Sequence, residues 1–309
     1  MIFEGPEKKL EILAVGPLPS LRSLGNDFWG RVVELARARI ISTVSGGACD
    51  AYLLSESSLF VWDQRMLMIT CGRTTLIESA MEMLEHIPGS RLASLIYERK
   101  NENFPELQQT TFAHDTARLQ EKAAGTSVIF GDPTADHIAL FHLDRAFEPD
   151  PADSTLEVLM YDMEPQASRL FSRASPAPEL RKRIGFDEML PGFQVDDHLF
   201  DPMGYSFNAV NDKHYSTLHV TPQRKGSYTS FETNYRVETT EVETTVSRLL
   251  DFFRPARSDV LVFQSGLDLG DLKNGFRVTS AQSATLGCGY VCEYAHIERE
   301  LVRRRNPSK

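Results

Sequence analysis

Basic residues are in short supply. Lys and Arg number 33 against 43 Asp and Glu, a formal net charge of −10 at pH 7. Such a chain has no surplus of cations to neutralise phosphates, so nucleic acid is not an expected partner. No apolar run approaches the roughly 18 residues of a membrane span, and no membrane partner is expected. The opening residues, Met-Ile-Phe-Glu-Gly-Pro-Glu, lack the basic and apolar regions of a secretory signal, which points to the cytoplasm. Cysteine is scarce. Cys49, Cys71, Cys288 and Cys292 have no zinc-ribbon spacing, so no metal is expected and reduced thiols are the default. No glycine-rich phosphate cradle is evident, which argues against pyridoxal phosphate. What is present is globular: 309 residues, 41% hydrophobic, enough for two average domains or one large sandwich.

Patterning then supplies the elements. Leu10, Ile12 and Ala14 alternate with charged or polar neighbours in a first strand over Glu7–Val15. Phe28–Ile40 reads as an amphipathic helix capped by Asn26 or Asp27, and Thr75–His86 as a second, with Thr75 and Glu78 as a capping box. Ala51–Val61 and Arg65–Cys71 read as one hairpin, and Glu98–Phe112 as a polar connection. Asp115–Ala124 is a short helix, and strands are expected over Ser127–Phe130 and Ile138–Leu143. In the second half, strands are expected at Leu156–Tyr161, Phe193–Phe200, Tyr205–Val210, Tyr215–Thr221, Ser227–Thr233, Val260–Gln264 and Gly289–Tyr294, with a helix over Val242–Phe253. Arg173–Leu180 reads as a disordered linker and Arg303–Lys309 as a frayed basic tail. Runs of strands broken by a few long helices indicate an α+β protein with antiparallel sheets.

One stretch, Leu53-Leu54-Ser55-Glu56-Ser57-Ser58-Leu59-Phe60-Val61, is a poor core segment, because buried hydroxyls and carboxylates need partners. The lone thiol of Cys71 follows it closely. Serine, carboxylate and thiol so near one another form a candidate catalytic cluster, although solvated serines on a hairpin edge would read the same way.

Other words surround this cluster in a fixed order: Phe3-Glu4-Gly5-Pro6-Glu7-Lys8-Lys9-Leu10-Glu11, Pro202-Met203-Gly204-Tyr205-Ser206, His219-Val220-Thr221-Pro222 and Ser230-Phe231-Glu232-Thr233-Asn234. Together they resemble S-adenosylmethionine decarboxylase of the eukaryotic type, over Phe3 to about Tyr294. The resemblance implies a four-layer αββα sandwich of two antiparallel sheets, internally duplicated, in a single 1–309 domain. It implies self-cleavage between Glu56 and Ser57, giving chains 1–56 and 57–309. Ser57 would become a pyruvoyl group, which forms a Schiff base with S-adenosylmethionine and accepts electrons as carbon dioxide leaves. Ser58, one residue on, should face the other side of the strand.

By the same resemblance, His219 takes a proton from the ester intermediate, Ser206 polarises the processing carbonyl, and Cys71 returns a proton after decarboxylation. Glu4 and Glu7 match acidic active-site positions. Phe3 and Phe200 sandwich adenine, and Glu56 lies beside the cut. Where the family carries a ribose-holding glutamate, this chain has Gln223. Glu11, Asp153, Thr155, Glu157, Glu232 and Phe263 match the acidic network that binds putrescine in animal-type members. Ile69 stands where those members carry a lysine and Ile96 where they carry an aromatic, so putrescine stimulation stays open. The homodimer of cleaved protomers stays open too. The expected product is the aminopropyl donor of spermidine synthesis. Two other functions remain: a pyruvoyl-dependent ornithine or arginine decarboxylase on this scaffold, and a non-catalytic regulatory paralogue.

Overall fold

The computed structural model describes residues 3–171 and 177–300. The first eight strands are β1 (Lys8–Ala14), β2 (Ile40–Ser45), β3 (Asp50–Leu54), β4 (Ser57–Val61), β5 (Arg65–Thr70), β6 (Leu92–Lys100), β7 (Gly125–Gly131) and β8 (His137–Leu143). They form one antiparallel sheet in the order β2-β3-β4-β5-β1-β6-β8-β7. The remaining strands are β9 (Thr155–Tyr161), β10 (Gln194–Leu199), β11 (Tyr205–Asn211), β12 (His214–Thr221), β13 (Tyr228–Thr233), β14 (Arg257–Phe263), β15 (Phe276–Thr285) and β16 (Val291–Arg299). Their order, β10-β11-β12-β13-β9-β14-β16-β15, is the first order with eight added to each label. The duplication, invisible in the letters, is therefore written in the topology.

Period-two alternation decides what each sheet buries. On β1, Leu10, Ile12 and Ala14 join a core with Trp29, Val32 and Val33 of the helix Gly25–Leu35 and with Ile77, Ala80 and Met83 of the helix Leu76–His86. A matching core lies under the helix Thr239–Phe253, where Val242, Val246, Leu249 and Phe253 meet Val158, Phe207 and Val260. The two remaining faces oppose each other. One apolar cluster joins Ala51, Phe60 and Leu67 to Val210 and Tyr215; another joins Ile96, Phe130 and Leu140 to Leu159, Leu261 and Tyr294. Between them, at the centre of the sheet order, β1 sends Lys9 and Glu11 into the same layer, against buried Glu98, Glu157 and Glu232.

Several expectations need correction. The single strand over Ala51–Val61 is two, β3 and β4, paired as a hairpin with Leu54 opposite Ser57. The serine-rich segment is its two-residue turn, Ser55-Glu56, because hydroxyl and carboxylate side chains sit better in a turn than in a buried ladder. Thr75 does not cap with its side chain; its hydroxyl donates to the Leu35 carbonyl at 2.8 Å. The first helix starts at Gly25 with Leu24 at its cap, ahead of Asn26 and Asp27. β6 runs on to Lys100, since Arg99 and Lys100 find Asp115 and Asp259 as partners. Residues 173–176 of the expected linker and the basic tail lie outside the described residues, while Ala177–Ile184 is helical. The exposed edge strand β15 was not anticipated: most of its side chains face solvent, so its apolar periodicity is weak.

Candidate active site

The hairpin turn delivers the chemistry. Ser57 opens β4 with φ of 130°, a conformation that costs an L-residue roughly 1–3 kcal/mol. The preceding carbonyl oxygen, that of Glu56, accepts the Cys71 N–H at 3.0 Å, with the Cys71 thiol 3.6 Å away. Ser57 Oγ lies 3.8 Å from the same sulfur. Ladder pairing sets this geometry, because Ser57 sits opposite Thr70 and Cys71 is the next residue on. The Glu56–Ser57 peptide is thus strained on its C-terminal side, and its carbonyl is polarised by a backbone donor.

The second sheet brings the histidine. Ser206 on β11 stands directly opposite His219 on β12, and Ser206 Oγ is 2.9 Å from His219 Nδ1. On the other edge of the ring, Nε2 lies 3.1 Å from Ser58 Oγ and 2.9 Å from Thr217 Oγ1. Both hydroxyls donate to Asn208 Oδ1, at 2.6 and 3.0 Å. Their protons being committed, Nε2 carries the ring proton and Nδ1 is left to accept from Ser206. Burial drives the imidazole pKa down to about 3, so the ring is neutral at physiological pH. Ser58 Oγ reaches this histidine while Ser57 Oγ reaches the Cys71 sulfur, and Ser57 and His219 line one cavity.

Ser57, Cys71, Ser206 and His219 line a cavity of about 370 Å³ with Phe3, Glu56, Phe200, Gly204 and Gln223. Gly72 makes room for it. A Cβ there would stand 3.0 Å from the Phe3 ring and 2.8 Å from Glu56 Oε2, and its φ of 71° favours glycine. Among the described residues Glu56 Oε2 is buried without a hydrogen-bond partner, and burial raises that carboxyl to about 7. Burial, with Glu56 adding to it, also pushes the Cys71 thiol well above its ordinary value. The thiol stays protonated.

Other expected residues stand around the cavity without lining it. Glu4 accepts the amides of Asn103 and Phe104 at 2.9 and 2.7 Å, tying down the loop after β6. Glu7 lies between the sheets beside the Ser230 hydroxyl, its pKa raised to about 8 by burial. The acidic network is assembled but already carries cations. Lys9 Nζ is paired with Glu157, lies 3.2 Å from Glu232 and 4.0 Å from Glu98, and sits 5.1 Å over the Phe263 ring. Arg65 bridges Glu11 and Asp153, each at 2.5 Å. Thr155 is buried at the start of β9, opposite Phe263. Although Ile69 brings no cation to these carboxylates, β1 supplies one in Lys9.

Reading the sequence missed Lys8, Lys9, Asn208 and Thr217, and gave Ser58 a direction but no partner. The β1 alternation was the available signal for Lys9, which must face away from Leu10. For Lys8 there was none. Its ammonium donates to Gln108 Oε1 at 2.7 Å, Gly72 O at 3.4 Å and Thr74 Oγ1 at 3.5 Å. Burial lowers its pKa to about 8.

The architecture defines the class of protein first: a duplicated αββα sandwich with the Ser55-Glu56 turn at a cavity lined from both sheets. The same fold occurs in the AdoMetDC-delta26 monomer of Trypanosoma brucei, with a TM-score of 0.61 and 20% identity over 79% of this chain and 99% of that one. A model of the adenosylmethionine decarboxylase family matches residues 1–301. The S-adenosylmethionine decarboxylase proenzyme of Leishmania donovani is 35% identical over 280 residues, 84% of this chain and 73% of that protein. The proenzyme of Dictyostelium discoideum is 33% identical over 300 residues, 89% of this chain and 78% of that one. The chain belongs to the adenosylmethionine decarboxylase family.

Proposed function

We propose that this chain cuts its own backbone between Glu56 and Ser57 and then decarboxylates S-adenosylmethionine. The observation that carries the reading is the Glu56–Ser57 turn: a serine held at positive φ, next to a carbonyl that accepts the Cys71 amide. Ser57 Oγ attacks that carbonyl carbon, and the Cys71 N–H stabilises the developing oxyanion. Strain at Ser57 is released as the peptide becomes an ester. His219, neutral and with Nδ1 able to accept, is suited to take a proton in the elimination that follows; Ser206 orients it. Cleavage leaves chains 1–56 and 57–309. The pyruvoyl group made from Ser57 would supply the electron sink for loss of carbon dioxide, and the site fits it, since Ser57 lines one cavity with Cys71, Ser206 and His219. Cys71, kept neutral by burial, is the proton donor to the substrate carbon. Phe3 and Phe200 take the adenine between them, and Glu56, whose Oε2 has no hydrogen-bond partner among the described residues, faces the sulfonium end.

The acidic network takes a built-in cation. Lys9 occupies the place between Glu98, Glu157 and Glu232 that a diamine would otherwise fill, so activity does not depend on putrescine.

Intact mass and a denaturing gel test the reading together. Purified protein should run as two bands, with the larger chain short of an amino-terminal amine, while Ser57→Ala should run as one uncut band. Carboxyl-labelled S-adenosylmethionine should release labelled carbon dioxide, and labelled arginine or ornithine should not. Full activity in protein with an unmodified serine at 57 would sink it.

A further inference from the structure

Residue 223 lines the cavity, yet its side chain is engaged elsewhere. Gln223 Oε1 accepts the Phe3 N–H at 3.1 Å, and Gln223 Nε2 donates to the Phe3 carbonyl at 2.7 Å. The same nitrogen donates to Gly226 O at 3.1 Å. An amide side chain has two N–H donors and two acceptor lone pairs, so both donors and one acceptor are used. Both backbone polar groups of Phe3 are thereby tied to one side chain, 220 residues away in the chain.

The tie matters because little else fixes this aromatic. Phe3 is 37% exposed, its ring reaching the cavity wall at Gly72. One residue on, the chain is anchored through Glu4, whose carbonyl accepts the Gly72 N–H at 2.8 Å and whose carboxylate holds the Asn103 and Phe104 amides. Among the described residues Phe3 is therefore the exposed part of a strap anchored at Glu4. Gln223 holds that end over the pocket, on the side where Phe200 forms the opposing wall.

We propose that Gln223 is a positioning residue for the adenine site, a two-point amide clamp that keeps the Phe3 ring closed over the nucleoside, rather than the group that grips the ribose. The proposal rests on the reading of Phe3 as a stacking residue. Its chemistry is specific to an amide. A carboxylate at 223 could still accept the Phe3 N–H, but it would set a second acceptor against the Phe3 carbonyl and release the clamp. A ribose-gripping residue behaves in the opposite way, since a charged acceptor binds hydroxyls more strongly than a neutral one.

Steady-state kinetics on the cleaved enzyme separate these outcomes. Gln223→Glu and Gln223→Ala should each raise KM for S-adenosylmethionine roughly three- to tenfold, the worth of one or two neutral hydrogen bonds. The loss should lie in KM more than in kcat. The Kd of 5′-methylthioadenosine, which carries the nucleoside without the amino acid, should weaken by the same factor in calorimetry. Because Gln223 acts through Phe3, adding either change to Phe3→Ala should cost nothing further in a double-mutant cycle. An unchanged or lower KM in Gln223→Glu overturns the clamp, as does full additivity with Phe3→Ala. If Phe3→Ala itself leaves KM and Kd unchanged, the stacking reading fails and takes the clamp with it. A raised KM in Phe3→Ala with none in the Gln223 variants removes the clamp alone.

Discussion

At the scale of single residues, the site runs on groups that burial has kept neutral. The Cys71 thiol is pushed up by desolvation and by Glu56, and the His219 imidazole is pushed down. A proton donor and a proton acceptor thus stand ready in one cavity without forming an ion pair. Cys71→Ala should therefore still cut itself, because the amide that polarises the Glu56 carbonyl belongs to the backbone. It should then lose activity progressively during turnover, as protons return to the wrong atom; curved progress curves against a linear wild-type trace would show this. A linear Cys71→Ala trace with equal turnover would remove the thiol from the reaction. Lys8 is a quieter case. Among the described residues it has no carboxylate within ion-pair distance, and its charge is met by three neutral oxygens on the segments flanking Gly72 and Gln108. Lys8→Met should loosen the turn that carries the Cys71 amide and slow self-cleavage by roughly tenfold or more, about the value of one charged hydrogen bond. A time course of the uncut band on a denaturing gel measures it.

At the scale of elements, β1 shows how much one strand can settle. Its odd and even positions divide a helix-facing core from a charged inter-sheet seam, and the seam places Lys9 among three carboxyls. Removing that ammonium leaves buried carboxyls without a cation, a larger cost than the pair was worth. Lys9→Leu should lower activity at least fivefold, and millimolar putrescine should restore much of it, whereas the wild type should gain less than twofold. No rescue of Lys9→Leu would show that the seam admits no diamine. The same strand marks what was legible in the letters. Alternation exposed β1, the helical stripes and most second-half strands, and the ordered motifs pointed to Ser57, Cys71, Ser206 and His219. The turn at Ser55-Glu56 was not legible, since apolar flanks made one strand of it. Nor was the direction of Glu4, Lys8 and Gln223, because long polar side chains near a pocket bond to whichever backbone group the fold brings near. The hydroxyl set of Ser58, Asn208 and Thr217 was hidden for another reason: its members come from both sheets and meet only across the sandwich.

At the scale of the whole molecule, two sheets of like topology close on a seam rich in buried carboxyls, and this sets how stability follows pH. Burial raises Glu7 and Glu157 to about 8 and Glu98 and Glu232 to about 7, all from 4.5. A raised folded-state pKa means that the folded protein binds protons more tightly than the unfolded chain. Its contribution is complete below the unfolded value and is lost as pH rises through the folded one. His296, raised by its bond to Asp259, acts in the same direction. His219 works the other way: lowered from 6.5 to about 3, it supports the fold above 6.5 and costs stability as pH falls below that. Lys8, lowered to about 8, and Lys9, raised well above 10.5, change charge only near or beyond the alkaline limit. Between pH 6.5 and 8 the carboxyls are therefore the principal groups in play, and the cleaved protein should lose roughly 2–6 °C of Tm across that interval at constant ionic strength. Glu157→Gln removes one of these titrations and should flatten the slope while leaving Lys9 two other carboxyls. Scanning fluorimetry at half-unit steps would decide it: a Tm that holds level or climbs from pH 6.5 to 8 would mean that the seam carboxyls are ionised throughout and balanced by Lys9 and Arg65, and that burial does not raise them.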